Sequence, residues 1–257
     1  MTTTENLDWQ HWVGRFDRMQ ERYLVGRRDR FEIVVRIIRA VCPEPERILD
    51  LGCGTGSLTE AVLEAFPECH VVGIDLDASL LLLATHRLGR FGSRVRLLND
   101  DLRCGDWMNQ VGGNFDAAVS ATALHWLSAE HLVELYRRLA VLLKPGGILL
   151  NADHVASKHP AIQTAWQEHK RAALAPLAGR EGWSDFMRAY AAALGRDPAT
   201  MGANAVGPWE GVEDGMPLAW HFDRLRESGF VAMDCFWRFA GDAVYGGLRG
   251  GPAMKEN

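Results

Sequence analysis

Short apolar runs alternate with amphipathic stretches through the middle of the chain. Arg47–Leu51, His70–Ile74, Arg94–Leu98, Phe115–Ser120 and Ile148–Asn151 read as buried strands. Leu58–Phe66 and a segment opening near Ala78 read as helices between them. This alternation implies right-handed βαβ crossovers and a parallel sheet. Residues 8–40 read as helical, with Phe31, Val34, Val35 and Ile38 on one face. Pro43 and Pro45 punctuate the approach to the first strand. Residues 155–216 break the alternation. They carry helical runs at Ala161–Leu174 and Ser184–Leu194, then a Gly/Pro-rich stretch from Gly195 to Pro217. Leu218, Phe222 and Leu225 form a helix stripe closed by Gly229. Val231–Phe239 and Asp242–Leu248 read as a sixth and a seventh strand.

The first strand runs into Gly52-Cys53-Gly54-Thr55-Gly56-Ser57 before the helix begins. Glycine is needed where the backbone takes unusual dihedrals or approaches a ligand closely. A Gly-rich turn between strand and helix aims main-chain N–H groups at a bound molecule, at the carboxyl edge of the sheet. The spacing departs from a dinucleotide fingerprint, which requires G-x-G-x-x-G. Counted from Gly52 the last position is Ser57, and counted from Gly54 it is Thr59. Asp50 stands just before the turn, where it would repel a pyrophosphate; it suits a ligand with a cationic end. Asp75 ends the second strand, about twenty residues past the turn, where a carboxylate can accept both hydroxyls of a ribose. Asp77 suits the N-cap of the following helix.

D-L-G-C-G-T-G resembles motif I of the class I S-adenosylmethionine-dependent methyltransferases. Phe115-Asp116, then Ala123-Leu124-His125-Trp126-Leu127, then Leu143-Lys144-Pro145-Gly146-Gly147 are similar to the trans-aconitate-methyltransferase-like branch. The likeness covers roughly residues 20–155 and is architectural beyond. It implies a doubly wound, seven-stranded, mostly parallel α/β sheet, Rossmann-like, with a terminal antiparallel hairpin and a helical lid insert. It implies S-adenosylmethionine as cofactor, with S-adenosylhomocysteine as product. Asp50, Gly52, Cys53, Gly54, Gly56, Asp75, Leu76 and Ser120 would line that cofactor. An acidic residue after the third strand would receive the adenine amino group. Asp101 fits that position best, Asp100 is one residue off, and the backbone of Leu102 would meet the ring. Tyr23 and Arg28 on the N-terminal helix are expected to close over the methionine end, with Arg28 on its carboxylate.

Composition agrees with one enzyme domain over 1–257. It divides into N-terminal cap helices (8–40), a cofactor core (46–154), a substrate lid (155–216) and a last helix with its hairpin (217–250). A length of 257 residues with 47% hydrophobic content permits a good core. A net charge of −5 argues against a nucleic-acid backbone as partner. The cysteines at 42, 53, 69, 104 and 235 form no C-x-x-C pair and read as reduced thiols. Cys53 reads as a small filler beside the cofactor rather than a nucleophile. The N-terminus is polar, and no apolar run approaches the roughly 18 residues of a membrane helix. The expectation is a cytoplasmic monomer or homodimer that meets neither membrane nor nucleic acid.

Methyl transfer is displacement at a sulfonium carbon with a good neutral leaving group. Positioning and a competent nucleophile do most of the work. A base near neutral pKa helps where the nucleophile is a phenol, hydroxyl or amine. His125 and His154 follow strands four and five, so both are candidates, as base or as an orienting hydrogen-bond partner. Asp153 precedes His154, but alternation points neighbouring side chains apart. Asp153, His154, His159 and His169 match no metal motif, so no metal is expected. The insert's Trp166, Trp183, Phe186, Met187, Tyr190 and Trp209 either form the lid's own core or stack on substrate. Trp126, His154, Trp166 and Trp183 are the substrate candidates. The expected acceptor is a small, partly apolar or aromatic molecule methylated on oxygen or nitrogen, carboxylate oxygen included. The competing readings are a fold relative that uses the sulfonium charge for cyclisation or decarboxylation, and a cofactor-sensing partner subunit.

Overall fold

The computed structural model describes residues 7–201 and 210–251. Trp209, one of the insert's aromatics, lies outside them, as does part of the Gly/Pro-rich stretch. The helices are α1 (Trp9–Gln20), α2 (Arg27–Val41), α3 (Ser57–Ala65), α4 (Ala78–Leu88) and α5 (Trp107–Val111). They continue as α6 (Ala129–Leu142), α7 (Pro160–Leu174), α8 (Trp183–Leu194) and α9 (Leu218–Glu227). The strands are β1 (Arg47–Leu51), β2 (His70–Asp75), β3 (Val95–Asn99), β4 (Phe115–Ala121), β5 (Leu143–His154), β6 (Phe230–Phe239) and β7 (Asp242–Arg249).

The sheet has the order β3-β2-β1-β4-β5-β7-β6. β1 to β5 are parallel, and β7 inserts antiparallel between β5 and β6. The expected doubly wound sheet with its terminal hairpin is present. Strand order reverses between β1 and β4, so the crevice lies outside the carboxyl ends of these strands. Alternation along β1 sends Ile48 to one face and Leu49 and Leu51 to the other. Both faces are apolar because helices cover both. Leu49, Leu51, Ile74, Phe115 and Leu149 pack with Leu135, Tyr136 and Leu139 of α6. Ile48, Val71, Val119 and Leu150 pack with Val34 and Ile38 of α2 and Leu58 and Val62 of α3.

Three local expectations change. The N-terminal stretch is two helices, since the chain turns at 21–26 and Gly26 stands at φ 61°. β5 begins at Leu143, so the Lys144–Gly147 turn falls within its span, as a register shift against β4. α8 packs on α1 and α4, with Phe186 and Tyr190 against Trp12, Phe16 and Leu83. Much of the insert's aromatic content is thus core shared with the N-terminal helix. Among the described residues no helix is long and apolar enough to cross a membrane.

Candidate active site

The carboxyl ends of β1, β2, β3 and β4 open into a cavity of about 910 Å³. Gly52 turns the chain at φ 66°, and a Cβ there would lie 2.4 Å from Ala123 Cβ. Glycine is required on both counts. Gly54 follows at φ 53°, and its N–H donates to Asp75 Oδ2 at 2.7 Å. The N–H of Asp77 donates to Asp75 Oδ1 at 2.8 Å. Asp77 itself caps α4 through the N–H groups of Ser79 and Leu80. Burial pushes the Asp75 carboxyl up to about 6, against the pull of those two N–H donors.

Asp50 is 1% exposed and borders the cavity. Thr59 Oγ1 donates to its Oδ2 at 2.5 Å, while Oδ1 is buried with no partner. Burial pushes this carboxyl up to about 7. A buried carboxylate oxygen without a donor is costly unless a cation meets it. Cys53 is buried, and burial beside Asp50 and Asp75 holds its thiol well above the usual range. It is protonated filler, packed against Gly73.

Across the cavity stand two histidines, each with its own carboxylate. His125, in the short turn after β4, approaches Asp153 Oδ1 at 2.6 Å through Nδ1, and its backbone N–H donates to Oδ2 at 3.0 Å. His154, at the end of β5, approaches Asp242 Oδ1 at 2.5 Å through Nδ1. Burial would raise the Asp153 carboxyl, but the two imidazoles outweigh it and hold it well below the usual range. Burial likewise opposes ionisation of Asp242, and His154, Lys170 and Arg30 reverse it. Ionised carboxylates only accept, so each Nδ1 carries a hydrogen, and in that tautomer the ring lone pair lies on Nε2. Burial holds His154 below its ordinary pKa, Asp242 opposes that, and Lys170 adds to it. The ring centroids lie 4.7 Å apart.

His125, Asp153 and His154 also bring possible metal-ligand atoms within 4.8 Å of one another. Asp153 is already saturated by His125 and the backbone N–H of His154. The Lys170 ammonium lies 3.3 Å from His154 Nδ1. The donor set suits proton handling better than a dication.

Other sequence candidates divide. Tyr23, Gly52, Cys53, Gly54, Leu76, Asp100, Asp101, Leu102, Trp126 and Trp183 all border the cavity. The Asp101 carboxylate is gripped by Arg103 Nε and Nη2 at 2.9 and 2.7 Å. Asp100 accepts from Gln110 Nε2 at 2.8 Å. Arg28 is exposed on the outer side of α2; Arg27, one position earlier, faces the cavity and pairs with Asp17 at 3.1 Å. Ser120 is buried in the sheet, where Oγ donates to the Leu51 carbonyl at 2.7 Å. Gly56 caps α3 at φ 76°, against Leu88 rather than the cavity. Trp166 stacks against the Arg238 guanidinium, 4.2 Å from its ring centre, away from the cavity.

A model of the methyltransferase domain matches residues 48–147. That span runs from β1 through the glycine turn to the start of β5. The fold is that of the class I S-adenosylmethionine-dependent methyltransferases, and residues 48–147 match their domain. Trans-aconitate 2-methyltransferase of Acidovorax sp. (strain JS42) is 30% identical over 162 residues, 59% of each chain. Malonyl-[acyl-carrier protein] O-methyltransferase of Legionella pneumophila subsp. pneumophila is 30% identical over 122 residues, 48% of this chain and 41% of that protein. Both matches span less than two thirds of the relative's length. An O-methyltransferase family protein from Burkholderia thailandensis shares the fold at TM-score 0.58 and 19% identity. That likeness covers 85% of this chain and 56% of the other.

The residues of this methyltransferase domain fit the cofactor. Asp50 Oδ1 is the orphaned acceptor that an ammonium would satisfy, and Asp75, fixed by two N–H donors at the end of β2, could accept from ribose hydroxyls. Sequence reasoning missed Asp242, Lys170 and Arg30. Arg30 is 1% exposed, donates to the Ala152 carbonyl at 2.5 Å and lies 3.9 Å from Asp242. It also missed Asn151, which donates to Tyr245 Oη at 2.9 Å and lies 3.5 Å from Asp153 Oδ2. The only available signal was the run of polar residues at the end of an apolar strand, Asn151-Ala152-Asp153-His154.

Proposed function

We propose that this protein transfers the methyl group of S-adenosylmethionine to an oxygen or nitrogen of a small, partly apolar or aromatic molecule, carboxylate oxygen included. One observation carries this reading: the same cavity joins the acid-lined glycine turn to a pair of carboxylate-held histidines. When bound, the cofactor supplies an electrophilic methyl on a sulfonium whose leaving group is a neutral thioether. Asp50 would accept from its ammonium and Asp75 from its ribose hydroxyls, while the turn Asp100–Leu102 closes the adenine end. Arg27 and Tyr23 close the methionine end.

The acceptor would lie between His125, His154 and α7. Lys170 and Arg171 border the cavity there and would attract an anionic group. Trp126, Leu127, Leu174 and Trp183 offer apolar cover. Where the acceptor is a phenol, hydroxyl or amine, His125 takes its proton on Nε2 and Asp153 stabilises the resulting imidazolium; an ionised carboxylate needs no base. His154 orients the acceptor or replaces His125 as base. The protein acts on free small molecules in the cytoplasm, as a monomer or homodimer; its net charge of −5 disfavours a phosphate backbone as partner.

A screen of small carboxylic acids, phenols and amines with isotopically labelled methyl donor tests this. Label should pass to one of these acceptors, and for a phenol or amine its transfer should fall sharply in His125→Ala. Tight cofactor binding with no labelled acceptor, or with the carboxylate lost or a ring closed in the product, would refute methyl transfer.

A further inference from the structure

The segment Glu210–Met216 runs along the backbone of both histidine turns. The Gly211 N–H donates to the Trp126 carbonyl at 2.9 Å, and the Val212 N–H to the His125 carbonyl at 3.1 Å. Four residues on, Gly215 packs on the other histidine. A Cβ on Gly211 would lie 1.9 Å from the His125 carbonyl oxygen; a Cβ on Gly215 would lie 2.1 Å from that of His154. Real Cβ atoms do not approach main-chain atoms within 3.0 Å. Each glycine is therefore required by one histidine. Beyond Gly215, the Met216 carbonyl accepts from the Ala156 N–H at 3.3 Å.

The outer side of the segment is anchored as well. Glu210 pairs with Arg103 at 3.0 Å and with His131 at 2.7 Å. Asp214 accepts from Gln167 Nε2 on α7 at 2.9 Å. Glu213 and Asp214, between the two glycines, border the cavity. The segment thus links the turn after β3, the start of α6, the ends of β4 and β5, and α7.

We propose that Glu210–Met216 is a positioning strap that sets the spacing of the His125 and His154 rings; this rests on the reading that both face the acceptor. Each ring is already held at Nδ1 by its carboxylate. The strap fixes the other end of each residue, the main-chain carbonyl. His125 needs this most, because it lies in a short irregular turn outside the strand ladders. With both ends fixed, the two Nε2 atoms keep one separation across the acceptor site. Gly211 and Gly215 touch no reacting atom and act only through the histidines.

The test uses the full-length protein with Gly211→Ala and Gly215→Ala. The readouts are the imidazole proton–carbon cross-peaks of both histidines, assigned from their loss in His125→Gln and His154→Gln, and calorimetric affinity for S-adenosylhomocysteine. Gly211→Ala should displace the His125 cross-peak and leave that of His154 in place; Gly215→Ala should do the reverse. Affinity for S-adenosylhomocysteine should stay within about twofold of wild type, since neither glycine touches its end of the cavity. Relief from 1.9 Å to 3.0 Å moves main chain by about 1 Å. With the acceptor found by the screen, such a shift should lower turnover about 10²-fold. Variants that displace both cross-peaks alike, or neither, would overturn the strap. If an alanine variant fails to fold, Glu210→Ala releases the outer anchor without adding bulk. Besides the cross-peak of His131, with which Glu210 pairs, it should displace that of His125 and not that of His154, and an unmoved His125 peak would count against the proposal. Failure of the wild type to bind S-adenosylhomocysteine would sink the functional reading only; the crossed pattern still decides the strap.

Discussion

Asp50→Asn should make the protein more stable and a poorer binder of its cofactor at once. Burial pushes the Asp50 carboxyl from an ordinary 3.8 up to about 7. At about 1.4 kcal/mol per pH unit, holding it ionised at pH 8 costs the ligand-free protein on the order of 4 kcal/mol. The folded state keeps a proton that the unfolded chain has already lost between pH 4 and 7. Stability therefore falls as pH rises through that window, and the full cost is present above it. Asparagine removes the charge and can still accept from Thr59. Its amide nitrogen is then left without a partner where Oδ1 now has none, at a cost of about 1–3 kcal/mol. The net gain at pH 8 is of order 1–3 kcal/mol, or roughly 2–10 °C in Tm for a chain of this size. The ligand loses a charged hydrogen bond of about 1.5–3 kcal/mol, so affinity should drop roughly 10–150-fold. Thermal unfolding at pH 8 with and without S-adenosylhomocysteine reads both effects. A lower ligand-free Tm together with an undiminished ligand-induced rise would refute the assignment of Asp50 to the ammonium.

Because Asp50 and Asp75 stand near 7 and 6 without ligand, and a cationic ligand selects their ionised forms, affinity for S-adenosylhomocysteine should climb from pH 6 to pH 8 and then level. Calorimetry at pH 6.5 in two buffers of different ionisation enthalpy should show proton release, and a flat profile would contradict this. His125→Ala should lower turnover roughly 10²–10⁴-fold while cofactor affinity holds; wild-type turnover would shift the base to His154 or leave proximity alone as the explanation. Trp183→Ala should raise the acceptor's KM because this ring borders the cavity. Trp166→Ala should lower only Tm, since Trp166 stacks on Arg238; equal KM effects would show that the cavity reaches further along α7.

Local sequence was enough for the glycine turn, for Asp75 at the end of β2, for Asp77 as a cap and for the alternation that makes the sheet. These signals work because backbone conformation there is set by residues a few positions away. A parallel sheet then brings strand ends together by construction, so Asp50, Asp75 and the turn after β3 could be placed at one edge without a structure. The carboxylate partners of the histidines could not. His154 meets Asp242 because the two are register partners across the antiparallel β5–β7 pair, and that register is a property of the whole hairpin insertion. His125 meets Asp153 because β4 and β5 end level with each other. Arg27 faces the cavity and Arg28 does not, since one residue along a helix turns a side chain by about 100°. The rotation of α2 is set by Val34 and Ile38 packing on the sheet. Trp183 was distinguished from Trp166 by how α7 and α8 dock, and Gly211 and Gly215 by carbonyls many residues earlier in the chain. Short-range sequence specifies each element and its ends; strand register and helix rotation, which depend on packing over the whole core, decide which side chains meet.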